Sequence, residues 1–166
     1  MTKMESVLKM MKCSIGAVFM INWKLVDILE NLDEKQVYDY VICNDEIIYM
    51  IEDMLDMEYY WHDVMIMLDE CHKRSFFEGQ MISSRINQNG CIALIKSTEL
   101  VKDAFEDMSA VSKTDMEAAY LKQKDIMVDS FENDWKFFNE LKNFYAKVFR
   151  FNRKILLFCG GEKENG

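Results

Sequence analysis

The sequence predicts an all-α protein, an up-down antiparallel bundle of about four long amphipathic helices with the third broken near Asn89-Gly90. Three observations predict it. Proline is absent from the 166 residues and only 6 glycines interrupt them, so the residues that break helices hardly occur. Apolar side chains recur at steps of three and four through most of the chain. The 14 methionines add helix formers whose flexible side chains fill irregular gaps.

The first predicted helix covers residues 3–31. Leu8, Met11, Ile15, Val18, Leu25 and Leu29 make its apolar side, Thr2 with Glu5 its capping box, and Asn22 its one polar interruption. Asp33, with Gln36 three residues on, caps a second helix of about forty residues along Val37, Val41, Ile48, Ile51, Leu55, Met65 and Leu68, with a hinge at 58–61. Asn22 and Asn44 read as interhelical hydrogen bonds that fix register. Ser75 with Glu78 opens the third element behind the basic run His72-Lys73-Arg74. Its second half, beyond the Asn89-Gly90 turn, carries Ile92, Leu94, Ile95, Val101, Phe105 and Met108. Ser112 with Asp115, or Thr114 with Glu117, caps the last helix, whose stripe is Val128, Phe131, Trp135, Phe138, Leu141, Tyr145 and Val148. The windows 42–51 and 91–95 are β-like but fit the flanking helical period better. One domain over 1–158 and a flexible tail over 159–166, beginning near Gly160-Gly161, complete the organisation.

Composition sets the function class by exclusion. Half the residues are hydrophobic and 30% are charged, the balance of a soluble globular protein. The apolar run 13–21 is too short to cross a bilayer, and the run 155–159 is shorter still. Five scattered cysteines without a C-x-x-C pair read as reduced thiols, hence an intracellular protein, cytoplasmic or nuclear. No metal or other cofactor is predicted. Zinc needs clustered ligands, and a di-iron site needs histidines on two helices, whereas His62 and His72 share one predicted helix. Glycine-rich phosphate loops and nucleophile signatures are missing, and adjacent Cys71 and His72 point about 100° apart on a helix. The expectation is therefore a protein that is not an enzyme, with no catalytic residue and no small-molecule substrate.

Charge is polarised over a net formal value of -9. Residues 27–70 hold fourteen acids against the single base Lys35, and residues 136–154 hold six bases against Glu140. The basic end either pairs internally with the acidic stretch or docks an acidic protein or a membrane headgroup, through Lys147, Arg150, Phe151, Arg153 and Lys154. The acidic remainder repels phosphate, which argues against nucleic acid. Met50, Met54 and Met57 crowd the second predicted helix and suggest an adaptable apolar surface. These features lead to an interaction module, an adaptor or regulatory subunit that binds a protein partner through a helical surface. The alternatives are a structural homodimer built on the long second and fourth helices, and a helical groove that holds an amphipathic peptide in the manner of apoptosis-regulator-like folds.

Overall fold

Two apolar runs, Gly16–Ile21 and Lys154–Cys159, are β-strands, and they overturn the all-α expectation. The structure, a computed structural model, describes residues 2–161 and consists of a five-stranded antiparallel sheet with helices on both faces. In chain order the elements are α1 (Lys3–Cys13), β1 (Gly16–Ile21), α2 (Trp23–Glu30), α3 (Glu34–Cys43), β2 (Ile51–Asp56), α4 (Tyr60–Glu70), β3 (Gln80–Ser83), β4 (Ile92–Lys96), α5 (Thr98–Ser109), α6 (Lys113–Lys122), α7 (Phe131–Arg150) and β5 (Lys154–Cys159). Short 3-10 turns occupy Asp45–Met50, Ser75–Phe77 and Lys124–Ile126.

The strands run in the order β2-β1-β5-β4-β3, so the last strand of the chain lies at the centre of the sheet. Gly16 stands opposite Cys159 in β5, and Cys159 stands opposite Ile92 in β4. Alternation then divides the side chains. Val18, Met20, Leu94, Ile155, Leu157 and Cys159 pack under α4–α7, while Ala17, Phe19, Ile21, Ala93, Ile95, Leu156 and Phe158 pack under α1–α3. Because β1 is buried along its whole length and β5 along all but Lys154, neither shows the polar alternation that betrays a half-exposed strand. The predicted tail therefore begins too early, since Cys159 is a buried strand residue; positions 162–166 lie outside the described residues.

The first predicted helix resolves into α1, β1 and α2. Asn22 caps α2, accepting the Leu25 N–H at 3.2 Å, and is not a buried register residue. The second resolves into α3, a 3-10 turn, β2 and α4, and Asn44 ends α3 with its side chain on the Tyr40 carbonyl. The expected hinge falls at the β2–α4 junction, where Glu58 takes φ 45°. The third resolves into β3, β4 and α5, so the β-like window 91–95 is largely β4. Ser75 caps no α-helix; it starts a 3-10 turn and bonds the Asp107 carboxylate. The capping boxes at Thr2/Glu5 and Asp33/Gln36 are formed. The fourth predicted helix resolves into α6, a 3-10 turn and α7: the box at Ser112/Asp115 caps α6, whereas α7, capped by Ser130, carries the predicted stripe with Phe131, Phe138, Leu141, Tyr145 and Val148 buried. Val128 precedes α7 and is exposed. No helix among the described residues is long and apolar enough to cross a membrane.

Candidate functional site

The residues chosen from sequence do not assemble. Lys147 donates to Asp53 at 2.7 Å and Arg153 to Glu52 at 2.8 Å, so the basic end of α7 neutralises β2 inside the same chain. Arg150 lies over the Phe151 ring at 5.4 Å, and Phe151 is half exposed. Lys154 opens β5 beside a polar cleft of about 610 Å³ that Trp23, Asp27, Glu30 and Glu52 also line. Met50 is buried in the α1–α3 core, Met57 in the α4–α7 core, and Met54 packs partly against the former. Three methionines expected on one helical face thus fall on both sides of a sheet. The sheet edges offer no better candidate. On β2 the Met54 N–H is taken by the Asp53 carboxylate at 2.8 Å, and just beyond β3 the Ser84 N–H is taken by Glu34 of α3 at 2.9 Å, both of which blunt pairing with another chain.

A different place stands out, a cleft of about 440 Å³ walled by Met65, Ile66, Leu68, Phe76, Phe77 and Ile126. Its floor is α4, whose inward residues Asp63, Val64, Met67 and Leu68 are buried while Met65 and Ile66 stay half exposed. The helix ends in a Schellman motif. His72 takes φ 59° and donates to Asp69 O, and Lys73 donates back to Leu68 O at 2.8 Å. That reversal delivers Lys73 and Arg74 to the cleft rim and starts the Ser75–Phe77 wall.

Both walls are irregular turns, and each is fastened to the scaffold by a buried ionisable side chain. Lys96, at the end of β4 and 0% exposed, sends its ammonium Nζ to the carbonyls of Ser75 (2.8 Å) and Glu78. Burial pushes this lysine down to about 7, with Glu78 opposing the shift. Ser75 is also gripped from α5, its N–H and hydroxyl both donating to Asp107. Phe76 thereby lies buried beneath the turn and Phe77 stands over the cleft, their rings edge to face at 4.9 Å.

The opposite wall is Lys124–Ile126, and Ile126 is 52% exposed. The chain beyond it is held by Asp63 of α4, which accepts the N–H groups of Val128 (3.0 Å) and Asp129 (3.1 Å) and contacts His62 Nδ1 at 2.9 Å. Asp134 of α7 is 0% exposed, as is Asp63, and neither of its carboxyl oxygens has a hydrogen-bond partner among the described residues. Burial, and then the neighbouring Asp63, push the Asp134 carboxyl up to about 9.

The rim is polar. Arg74 holds Asp69 at 2.7 Å and Lys122 lies 3.4 Å from Glu70, whose carboxyl is held low chiefly by the Gln123 amide. Lys73 is the rim charge left without an opposite partner among the described residues.

The sequence reading missed Ile66, Phe76, Phe77, Lys96, Asp63 and Asp134 as functional candidates. A signal existed for the aspartates. Asp63 stands at the helical spacing of Val64 and Met67, and Asp134 stands between Phe131 and Phe138 on the stripe of α7, so each interrupts an apolar face. No protein-family model, curated protein or solved structure matches the chain.

Proposed function

We propose that the protein is a non-enzymatic binding module that accepts an apolar segment of a partner protein, flanked by a carboxylate, in the cleft between α4 and the two 3-10 turns. The observation that carries the reading is the cleft's wall of methionine, isoleucine and phenylalanine, open to solvent at a volume inside the roughly 300–1,000 Å³ range of binding pockets. Met65 supplies the adaptable contact that tolerates different apolar side chains, and Lys73 supplies a cation for the partner's acid. The homodimer reading loses its support, because the long second helix it required is broken by a strand.

The test is methionine-methyl NMR with a synthetic amphipathic helical peptide of leucine, alanine and glutamate, its leucines at i, i+3, i+4 and i+7. The Met65 methyl is expected to shift saturably, Ile66→Glu to abolish the shift, and exchange of the peptide's glutamates for lysines to weaken it. A Met65 resonance that stays still while exposed Met4 and Met81 respond, or binding that Ile66→Glu leaves unchanged, overturns the proposal.

A further inference from the structure

We propose that the polar cleft between α2 and the end of α7 is a second binding site, and that its ligand is a neutral oligosaccharide stacked on Trp23.

Trp23 is the anomaly among the tryptophans. Trp61 and Trp135 pack against the α4–α7 core, whereas Trp23 is 72% exposed. Its position is set locally. Asn22 caps α2 with its side chain while its own N–H donates to the Met50 carbonyl at 3.1 Å, which fixes where the helix starts. Leu25, Val26 and Leu29 then fill the inward face. Trp23, Asp27 and Glu30 follow at steps of four and three, so the ring and two carboxylates share the outward face that walls the cleft. Ile21 and Val26, the other apolar residues of the lining, are buried, which leaves the indole as the one large apolar surface open to a ligand there.

The opposite wall is held as firmly. α7 ends in the same motif as α4: Asn152 takes φ 54° and donates to Phe149 O, and Arg153 donates back to Val148 O. Arg153 is then fixed by its Nε on Glu52 at 2.8 Å and its Nη1 on the Phe151 carbonyl at 3.0 Å, so its Nη2 has no hydrogen-bond partner among the described residues. The side chains of Thr98, Asn152 and Lys154 on the same cleft are likewise unpartnered, as are the carboxylates of Asp27 and Glu30.

The lining selects the class of ligand. Three carboxylates, those of Asp27, Glu30 and Glu52, face the two cations Arg153 and Lys154, so neither sign dominates. A phosphate would meet Asp27 and Glu30, and an organic cation would meet Lys154. What remains is one flat aromatic face ringed by free donors and free acceptors. A sugar ring is the matching surface, because its C–H face lies on an indole while its hydroxyls both donate and accept around the edge. At about 610 Å³ the cleft is in the range of ligand sites and large enough for more than a single ring.

The experiment is a 15N NMR titration of the full chain with maltotriose, cellotriose and tri-N-acetylchitotriose, following the Trp23 indole N–H, which is identified by its loss in Trp23→Phe. At least one of the three is expected to shift that signal saturably while the Trp61 and Trp135 indoles stay still. By calorimetry with the sugar that binds, Trp23→Ala should weaken affinity about tenfold and Trp23→Phe, which keeps a ring, less. No saturable shift with any of the three up to about 10 mM overturns the proposal, as does binding that survives Trp23→Ala. Tighter binding of adenosine monophosphate at Trp23 than of any sugar overturns the neutral-ligand assignment. A Trp23 signal that moves with protein concentration alone makes this face a self-contact and overturns it too. The apolar cleft is read separately by the Met65 methyl, so a peptide that fails there leaves the sugar site standing, and the reverse holds.

Discussion

The two faces of the sheet are built differently. Under α1–α3 the buried polar side chains are neutral: Asn87 donates to the carbonyls of Met11 and Ser14 and accepts the N–H groups of Asn89 and Cys91, which shapes the long β3–β4 connection without burying a charge. Under α4–α7 two carboxyls and an amine, those of Asp63, Asp134 and Lys96, are fully buried, and each lies behind or beside an irregular turn that walls the apolar cleft. A buried charge is costly unless hydrogen bonds or a shared proton compensate it. The difference teaches that the desolvation cost of buried carboxyl and amine groups falls on the α4–α7 face, where those groups hold two irregular turns beside the cleft.

The largest expected effect tests whether the α4–α7 face still contains a true core. Phe138 of α7 is 0% exposed and stacks on Trp135 at 5.5 Å. Phe138→Ala should cost about 3–5 kcal/mol. Denaturant unfolding measures it, and a loss below about 1 kcal/mol would make this face a loose lid over a core carried by the other side.

The pH dependence sharpens the comparison, because only the α4–α7 face contributes strongly shifted acids and bases of opposite sign. Asp134 rises from 3.8 unfolded to about 9 folded, so the folded state binds the extra proton between those values and stability falls as pH climbs through that window. Lys96 falls from 10.5 to about 7, so the unfolded state binds the extra proton between those values and stability rises with pH there. Each group contributes a slope of at most about 1.4 kcal/mol per pH unit. The two oppose one another between about pH 7 and about pH 9, where their combined slope should be nearly flat, below which Asp134 acts alone. Lys96→Met should remove the rising component and leave stability falling across the whole interval. Urea unfolding at stepped pH separates the cases, and an unchanged profile in Lys96→Met would show that the lysine is not a buried cation.

The same asymmetry explains what the sequence made legible. Signals that act over three or four residues were readable: the boxes at Thr2/Glu5, Asp33/Gln36 and Ser112/Asp115, the stripe of α7, and the Asn89-Gly90 turn, where Gly90 takes φ 77°. The strands were not. Gly16–Ile21 is apolar on both faces, and with no glycine or proline after Gly16 to break the count, Ile15 and Val18 continued the spacing of α1 by coincidence. Pairing of Gly16 with Cys159 joins opposite ends of the chain and leaves no local mark. The cleft is made of three segments, 65–68, 76–77 and 126, that no periodicity relates. The ionisable groups were the exception, since an aspartate on an apolar helical stripe is visible to anyone who asks which polar residue has no right to be there.

The smallest expected effect separates the cleft from the basic end of α7. Arg153 donates to Glu52 at 2.8 Å, and both side chains are partly exposed, so solvent and salt screen the pair and Arg153→Ala should cost less than about 1 kcal/mol. Its consequence for binding is more telling than its cost. If the cleft between α4 and the two turns is the site, the glutamate-bearing peptide should bind Arg153→Ala and the wild type equally, because Arg153 lines a separate polar cleft with Trp23 and Asp27. A several-fold loss of affinity in Arg153→Ala, with its unfolding midpoint nearly unchanged, would move the interaction surface to the end of α7. The ion pairs from Lys147 and Arg153 to β2 would then be contacts that a partner's acids displace, and the buried charges of the α4–α7 face would be left with a purely structural role.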